Sequence, residues 1–111
     1  MATSGPETKL TQKVLAWLNS LEGVHATKVH GSRFSAGQPD ILACVRGRML
    51  QIEMKSPTLK AAKPTPLQAK RLREWGDAGA VTMCANSHEE VAATVFALLD
   101  DPGLTATIPS A

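Results

Sequence analysis

Aromatic residues are scarce in this 111-residue chain, with two Trp, two Phe and no Tyr, so any core must be largely aliphatic. Enough aliphatics exist for one, since 43% of residues are hydrophobic. No stretch approaches the roughly 18 apolar residues of a membrane span. No apolar run follows a basic start at the N-terminus, which is therefore not read as a secretory signal. The chain is expected to be soluble and intracellular, acting in the cytoplasm. Repeats and low-complexity tracts are absent. There are only two cysteines, Cys44 and Cys84, both inside apolar runs, and they are read as buried reduced thiols rather than a disulfide. No Cys-x-x-Cys pair exists and His25, His30 and His88 are scattered, which argues against a zinc site.

Basic residues are also missing, but only from the last third. All twelve Lys and Arg lie at or before Arg73, against four acids there (Glu7, Glu22, Asp40 and Glu53), a net charge of +8. From Glu74 onward six acids stand with no base. A basic portion of this strength suits a polyanionic partner, because phosphate neutralisation supplies most non-specific nucleic-acid affinity. The length suits one domain, spanning residues 1–100, with a patternless tail over residues 101–111 expected to be loose. A domain this small gains from oligomerisation.

Leu10, Val14, Trp17, Leu18 and Leu21 recur at helical spacing, predicting a helix from about Pro6 to Leu21, with Ser4 and Glu7 spaced as a capping box. Val24 to Val29 reads as a strand and residues 31–39 as a loop. Ile41 to Val45 is continuously apolar, as in a central strand buried on both faces. Met49 to Lys55 alternates, with Leu50, Ile52 and Met54 on one face and Gln51, Glu53 and Lys55 on the other. Thr65-Pro66-Leu67-Gln68 opens a second helix through a capping box, with Leu67, Leu72 and Trp75 facing inward. Ala80 to Ala85 reads as a buried strand. Ser87 to Glu90 caps a last helix marked by Val91, Val95, Leu98 and Leu99. The order α-β-β-β-α-β-α describes an α/β fold, a mixed sheet flanked by helices.

If Arg46-Gly47 form a two-residue turn, Val45 faces Arg48 and Asp40 lies directly opposite Glu53. Facing residues of an antiparallel pair share a side, with Cβ atoms about 4.5–5.5 Å apart. Lys55 falls on that side too. Two facing carboxylates repel unless a cation lies between them, and Mg²⁺ takes one or two carboxylates plus waters and substrate phosphates.

Pro39-Asp40 followed by Glu53-Met54-Lys55 matches the PD-(D/E)xK nuclease signature. With His30-Gly31-Ser32, Gly37-Gln38-Pro39-Asp40-Ile41 and Thr65-Pro66-Leu67-Gln68 around it, the chain resembles the VRR-NUC (virus-type replication-repair nuclease) domain over about residues 7 to 98. The resemblance implies a restriction-endonuclease-like fold. It also implies Asp40, Glu53 and the Met54 carbonyl as metal ligands, and Lys55 beside the attacked phosphate. By the same resemblance, Glu7 supports a metal-bound water and Gln68 reaches the site from the second helix, although helix capping accounts for both residues equally well. His30 and Ser32 would approach the scissile phosphate, His30 being as readily a plain surface histidine. Arg33 and Ser35 depart from the Pro and basic residue commoner in that loop.

The expected activity is Mg²⁺-dependent endonucleolytic hydrolysis of DNA, with Mn²⁺ able to substitute. The resemblance to stand-alone phage members adds branched substrates such as Holliday junctions, a role in DNA repair and a homodimer. Arg33, Arg46, Arg48, Lys60, Lys63, Lys70, Arg71 and Arg73 are candidates for the DNA backbone, the last three on the exposed side of a helix. A nicking or exonucleolytic enzyme, or a non-catalytic nucleic-acid-binding module on a nuclease fold, are the competing readings. The intact Asp40, Glu53 and Lys55 argue against the module.

Overall fold

A proline preset for the first helical turn and aliphatics returning every three or four residues make Pro6–Ser20 helix α1. In the computed structural model, which describes residues 5–30 and 36–101, it is followed by β1 (Val24–Lys28), β2 (Ile41–Val45), β3 (Arg48–Met54), α2 (Pro66–Asp77), β4 (Val81–Ala85) and α3 (His88–Leu99). The expected order of elements is the observed one. The helix cap is Gly5, with no side-chain cap bond, so α1 does not start on the Ser4–Glu7 spacing, and Ser4 lies outside the described residues. The tail from residue 102 also lies outside them.

The four strands form one sheet in the order β1-β2-β3-β4, antiparallel except for the parallel β3–β4 pair that α2 connects. Arg46 (φ 47°) and Gly47 (φ 90°) both take the left-handed conformation of a type I′ turn, whose twist matches that of the strands it joins. This turn fixes the register Val45↔Arg48 through Ile41↔Ile52 that its two-residue length implies.

Leu50, Ile52 and Met54 turn one face of β3 toward α1 and α3, where they meet Val14, Leu18, Val91 and Val95. Each fully buried aliphatic there contributes about 1.5–3 kcal/mol. Trp17 packs edge-on against His88 and Phe96 where the two helices meet. At the sheet edge, the Asn19 amide donates to the Ala26 carbonyl at 3.0 Å, and its Oδ1 accepts the Ala26 N–H at 2.9 Å. The Val24 N–H turns back to Leu21.

Burial corrects several expectations. β2 is buried on one face only: Leu42 is partly covered and Cys44 is exposed, because α2 lies over β4 and the far end of β3 and leaves β1 and β2 open. A shallow hollow there is lined by His25, Thr27, Leu42, Cys44 and Met49. The strand buried on both faces is β3, whose polar residues Gln51 and Glu53 are enclosed along with its apolar ones. β4 is an edge strand of intermediate exposure, with only Ala85 buried, and Cys84 is half-buried. In α2 only Leu72 is buried, while Leu67 and Trp75 remain 41% and 37% exposed. Both cysteines are free thiols.

Candidate active site

Period-two alternation sends Gln51 and Glu53 to the face opposite the main core, and α2 closes over that face. Thr65 caps α2 by accepting the Gln68 N–H at 3.2 Å, and Gln68 Oε1 accepts the Thr65 N–H at 2.8 Å. The capping box therefore holds the Gln68 side chain in a single orientation. From there its Oε1 also accepts from Lys55 Nζ at 2.8 Å, and its Nε2 donates to Glu53 Oε2 at 2.9 Å. Capping and site contact are the work of one amide.

Lys55 leaves β3 with its N–H donated to the Ala85 carbonyl at 2.8 Å, which fixes its backbone. Its ammonium stands 3.6 Å from Glu53 Oε2. Asp40, one residue before β2, accepts the Met54 N–H through Oδ2 at 2.7 Å, and its carbonyl accepts the Val29 N–H. The Asp40 charge acts on Glu53 across the hairpin. Asp40, Glu53, Met54, Lys55 and Gln68 thus converge.

Burial, with the Asp40 charge adding to it and the Lys55 ammonium opposing it, pushes the Glu53 carboxyl up to about 8. Glu53 Oε1 is buried and has no hydrogen-bond partner. An orphaned carboxylate oxygen beside a second carboxylate is the donor set that a hard divalent cation completes. Among the described residues no group of three or more His, Cys, Asp or Glu side chains converges, so a cation here would rely on two carboxylates, backbone and solvent or substrate oxygens.

Glu7 is exposed in the first turn of α1, and no hydrogen bond among the described residues ties its carboxylate to Asp40 or Glu53. His30 is exposed just beyond β1, and Ser32, Arg33 and Ser35 lie outside the described residues. Lys70 and Arg73 are exposed on α2. Arg71 is half-buried instead, and its Nη1 donates to Glu74 at 2.9 Å. Arg46 and Arg48 sit at the turn end of the hairpin, about 17 Å along β2 from Asp40.

Three neighbours of the site escaped the sequence reading. Gln51 is fully buried, with Nε2 on Met49 Sδ and Oε1 without a partner. Cys84 pairs in register with Glu53, and burial, reinforced by that carboxylate, pushes its thiol up. Trp75 donates its indole N–H to Gln38 at 3.0 Å, two residues before Asp40. Parity along β3 marks Gln51 as a companion of Glu53; nothing in the sequence pairs Trp75 with Gln38.

No protein-family model and no curated protein matches the sequence. Solved structures do share its fold. One, described as a VRR_NUC domain protein, superposes with a TM-score of 0.63 at 18% identity, across 86% of this chain and 89% of that one. A second, described as a VRR_NUC domain, gives 0.69 at 21% identity, across 84% of this chain and 97% of the other. The chain therefore has the VRR-NUC domain fold, the nuclease-type architecture that its motifs resemble.

Proposed function

We propose that this protein is a divalent-metal-dependent endonuclease that hydrolyses phosphodiester bonds of DNA. The observation that carries this reading is the buried, partnerless Glu53 Oε1 beside Asp40, with Lys55 held against the same carboxylate by Gln68. Asp40 and Glu53, with the Met54 carbonyl, would hold Mg²⁺ or Mn²⁺. When bound, such an ion lowers the pKa of water and neutralises charge on non-bridging phosphate oxygens.

The protein's own groups do the rest. Lys55 has three N–H donors; Gln68 accepts one at 2.8 Å, Glu53 pairs with the charge at 3.6 Å, and the other donors can serve a phosphate oxygen or the attacking water. Its charge is preorganised: the ammonium is held before substrate arrives and need not reorganise as negative charge develops. The Lys55 ammonium and a bound cation both favour the ionised form of Glu53, which burial opposes. Lys60 and Lys63, on the loop that follows Lys55, and Lys70 and Arg73 on α2 supply positive charge for flanking phosphates.

We further propose branched DNA, such as a four-way junction, as the preferred substrate and a two-fold homodimer as the working form. A single copy carries one candidate site and a short basic surface, whereas paired cuts across a junction need two sites at fixed separation. Closed two-fold dimers are the commonest assembly of soluble chains.

The test is incubation with labelled linear, nicked, flapped and four-way DNA in Mg²⁺ or Mn²⁺, beside Lys55→Ala, with light scattering on the same sample. Metal-dependent cleavage by the wild type, slowed about 10²–10³-fold in the variant, is the expected result. Binding without cleavage under all conditions would leave a non-catalytic module. A monomer that cuts linear DNA as fast as junctions removes the branched-substrate and dimer proposals while sparing the nuclease.

A further inference from the structure

Helix α2 reaches the site from two sides. On one side Gln68 binds Glu53 and Lys55. On the other, Leu67, Arg71 and Trp75, spaced four apart, form a stripe about 12 Å long against the segment that leads into Asp40. Gly37 in that segment has φ +77°, and a Cβ there would stand 2.6 Å from Leu67 Cγ and 3.3 Å from Arg71 Cγ. Gln38 Oε1 accepts the Trp75 indole N–H at 3.0 Å. Pro39 is fully buried, and Asp40 follows.

This stripe does little for the main core. Only Leu72 of α2 is buried, and Leu67 and Trp75 keep 41% and 37% of their surface exposed. Leu67 lies against Gly37, and the Trp75–Gln38 bond spans 37 positions of sequence. Residues 36–39 belong to no strand, so no ladder places them. Among the described residues, Gly37 and Gln38 are seated on α2, and Asp40 beyond them is tied to Met54 and Val29.

We infer that Trp75 and Gln38 are positioning residues for Asp40: their hydrogen bond, added to the direct ties of Asp40 to Met54 and Val29, tunes where its carboxylate stands relative to Glu53, and so how tightly the pair holds a divalent cation. The inference rests on the reading of Asp40 and Glu53 as a cation site. Neither residue is among the groups read as ligands of the cation. α2 then aligns both halves of the site, Glu53 and Lys55 through Gln68 and Asp40 through Gln38.

The experiment measures Mn²⁺ binding without DNA, from the loss of the free-ion electron paramagnetic resonance signal, together with Tm. Trp75→Phe keeps an aromatic ring and removes the N–H, Gln38→Met removes the acceptor, and the two are combined in a double variant. Each single change is expected to weaken Mn²⁺ about threefold to tenfold, below the usual effect of losing a residue bonded directly to a ligand. The double variant should be no weaker than the singles, because both remove one bond. A merely structural bond would lower Tm and leave Mn²⁺ affinity at the wild-type value in both singles, and that result overturns the inference. Additive losses overturn it too, since the residues would then act separately. If wild-type binding is unaffected by Glu53→Ala, the cation site itself fails, which is distinguishable from wild-type-like binding by the two variants.

Discussion

The Asp40 carboxylate accepts the Met54 backbone N–H at 2.7 Å, so the candidate metal ligand is also a tie across the hairpin. Sequence reasoning saw only the repulsion between Asp40 and Glu53, from which removal of either acid should relax the metal-free fold. The hydrogen bond reverses that expectation for Asp40. Asp40→Ala leaves a buried N–H without a partner and should cost about 1–3 kcal/mol. Asp40→Asn keeps an acceptor and should cost less, and both should abolish cleavage. Urea unfolding in chelator checks the order; equal stability of the alanine and asparagine variants would mean the tie contributes nothing.

Glu53 gives the metal-free protein a defined pH dependence. Its folded pKa, about 8, lies above its ordinary value of 4.5, so between these values the native state holds a proton that the unfolded state has lost. The resulting stability is fully present below about pH 4.5 and disappears as pH rises through 8. Tm in chelator should therefore fall across this window, and Glu53→Gln should flatten the fall. Metal binding needs the ionised carboxylate, so Mn²⁺ affinity should rise with pH across the same interval, with proton release. Calorimetry in buffers of different ionisation enthalpy reads that release directly.

Lys55→Ala should reduce cleavage about 10²–10³-fold, the usual cost of one preorganised electrostatic contact, while Mn²⁺ still binds. Gln68→Ala should reduce it less and should also lower Tm by removing an N3 partner of the Thr65 cap. Single-turnover cleavage with saturating metal separates the two, and a Lys55→Ala protein as active as wild type ends the catalytic assignment.

Gly37 should tolerate no side chain. Alanine there meets Leu67 at 2.6 Å on a backbone of φ +77°, and Gly37→Ala should destabilise by about 1–3 kcal/mol. Adding Leu67→Ala should recover the steric share and leave the conformational one. Thermal unfolding of the two proteins measures both shares, and absence of any recovery would place the clash elsewhere.

Among the basic residues of α2, Lys70 and Arg73 are exposed and Arg71 is held by Glu74. With Ca²⁺ in place of Mg²⁺, replacing Lys70 and Arg73 together should lower the slope of log affinity against log salt by about two phosphate contacts, whereas Arg71→Ala should change it little. A larger effect from Arg71 would put the DNA path on the loop side of the helix.

How the sequence exposed the site, and where it misled, have separate physical causes. Turn length and alternation set the register as far as Ile41↔Ile52, one step short of Asp40 and Glu53, because a two-residue turn permits one pairing and a strand has a period of two. Which sheet faces are covered is not local information. The apolar run of β2 looked buried on both sides, yet α2 crosses over β4 and leaves Cys44 exposed. The alternating β3 looked half exposed, yet Gln51 and Glu53 are enclosed because the site is built there. Exposed Leu67 and Trp75 passed for core residues because a helix that seats a loop carries the same spacing as one that packs on a sheet.

The Asn19 amide bonds to both the N–H and the carbonyl of Ala26, the groups that an incoming strand would need. The middle of that margin is thereby blocked to edge-to-edge addition, a local guard against that route to fibrous aggregation. The same guard narrows the geometry open to a dimer. A dimer formed by fusing two sheets through β1 would first have to break both bonds of Asn19.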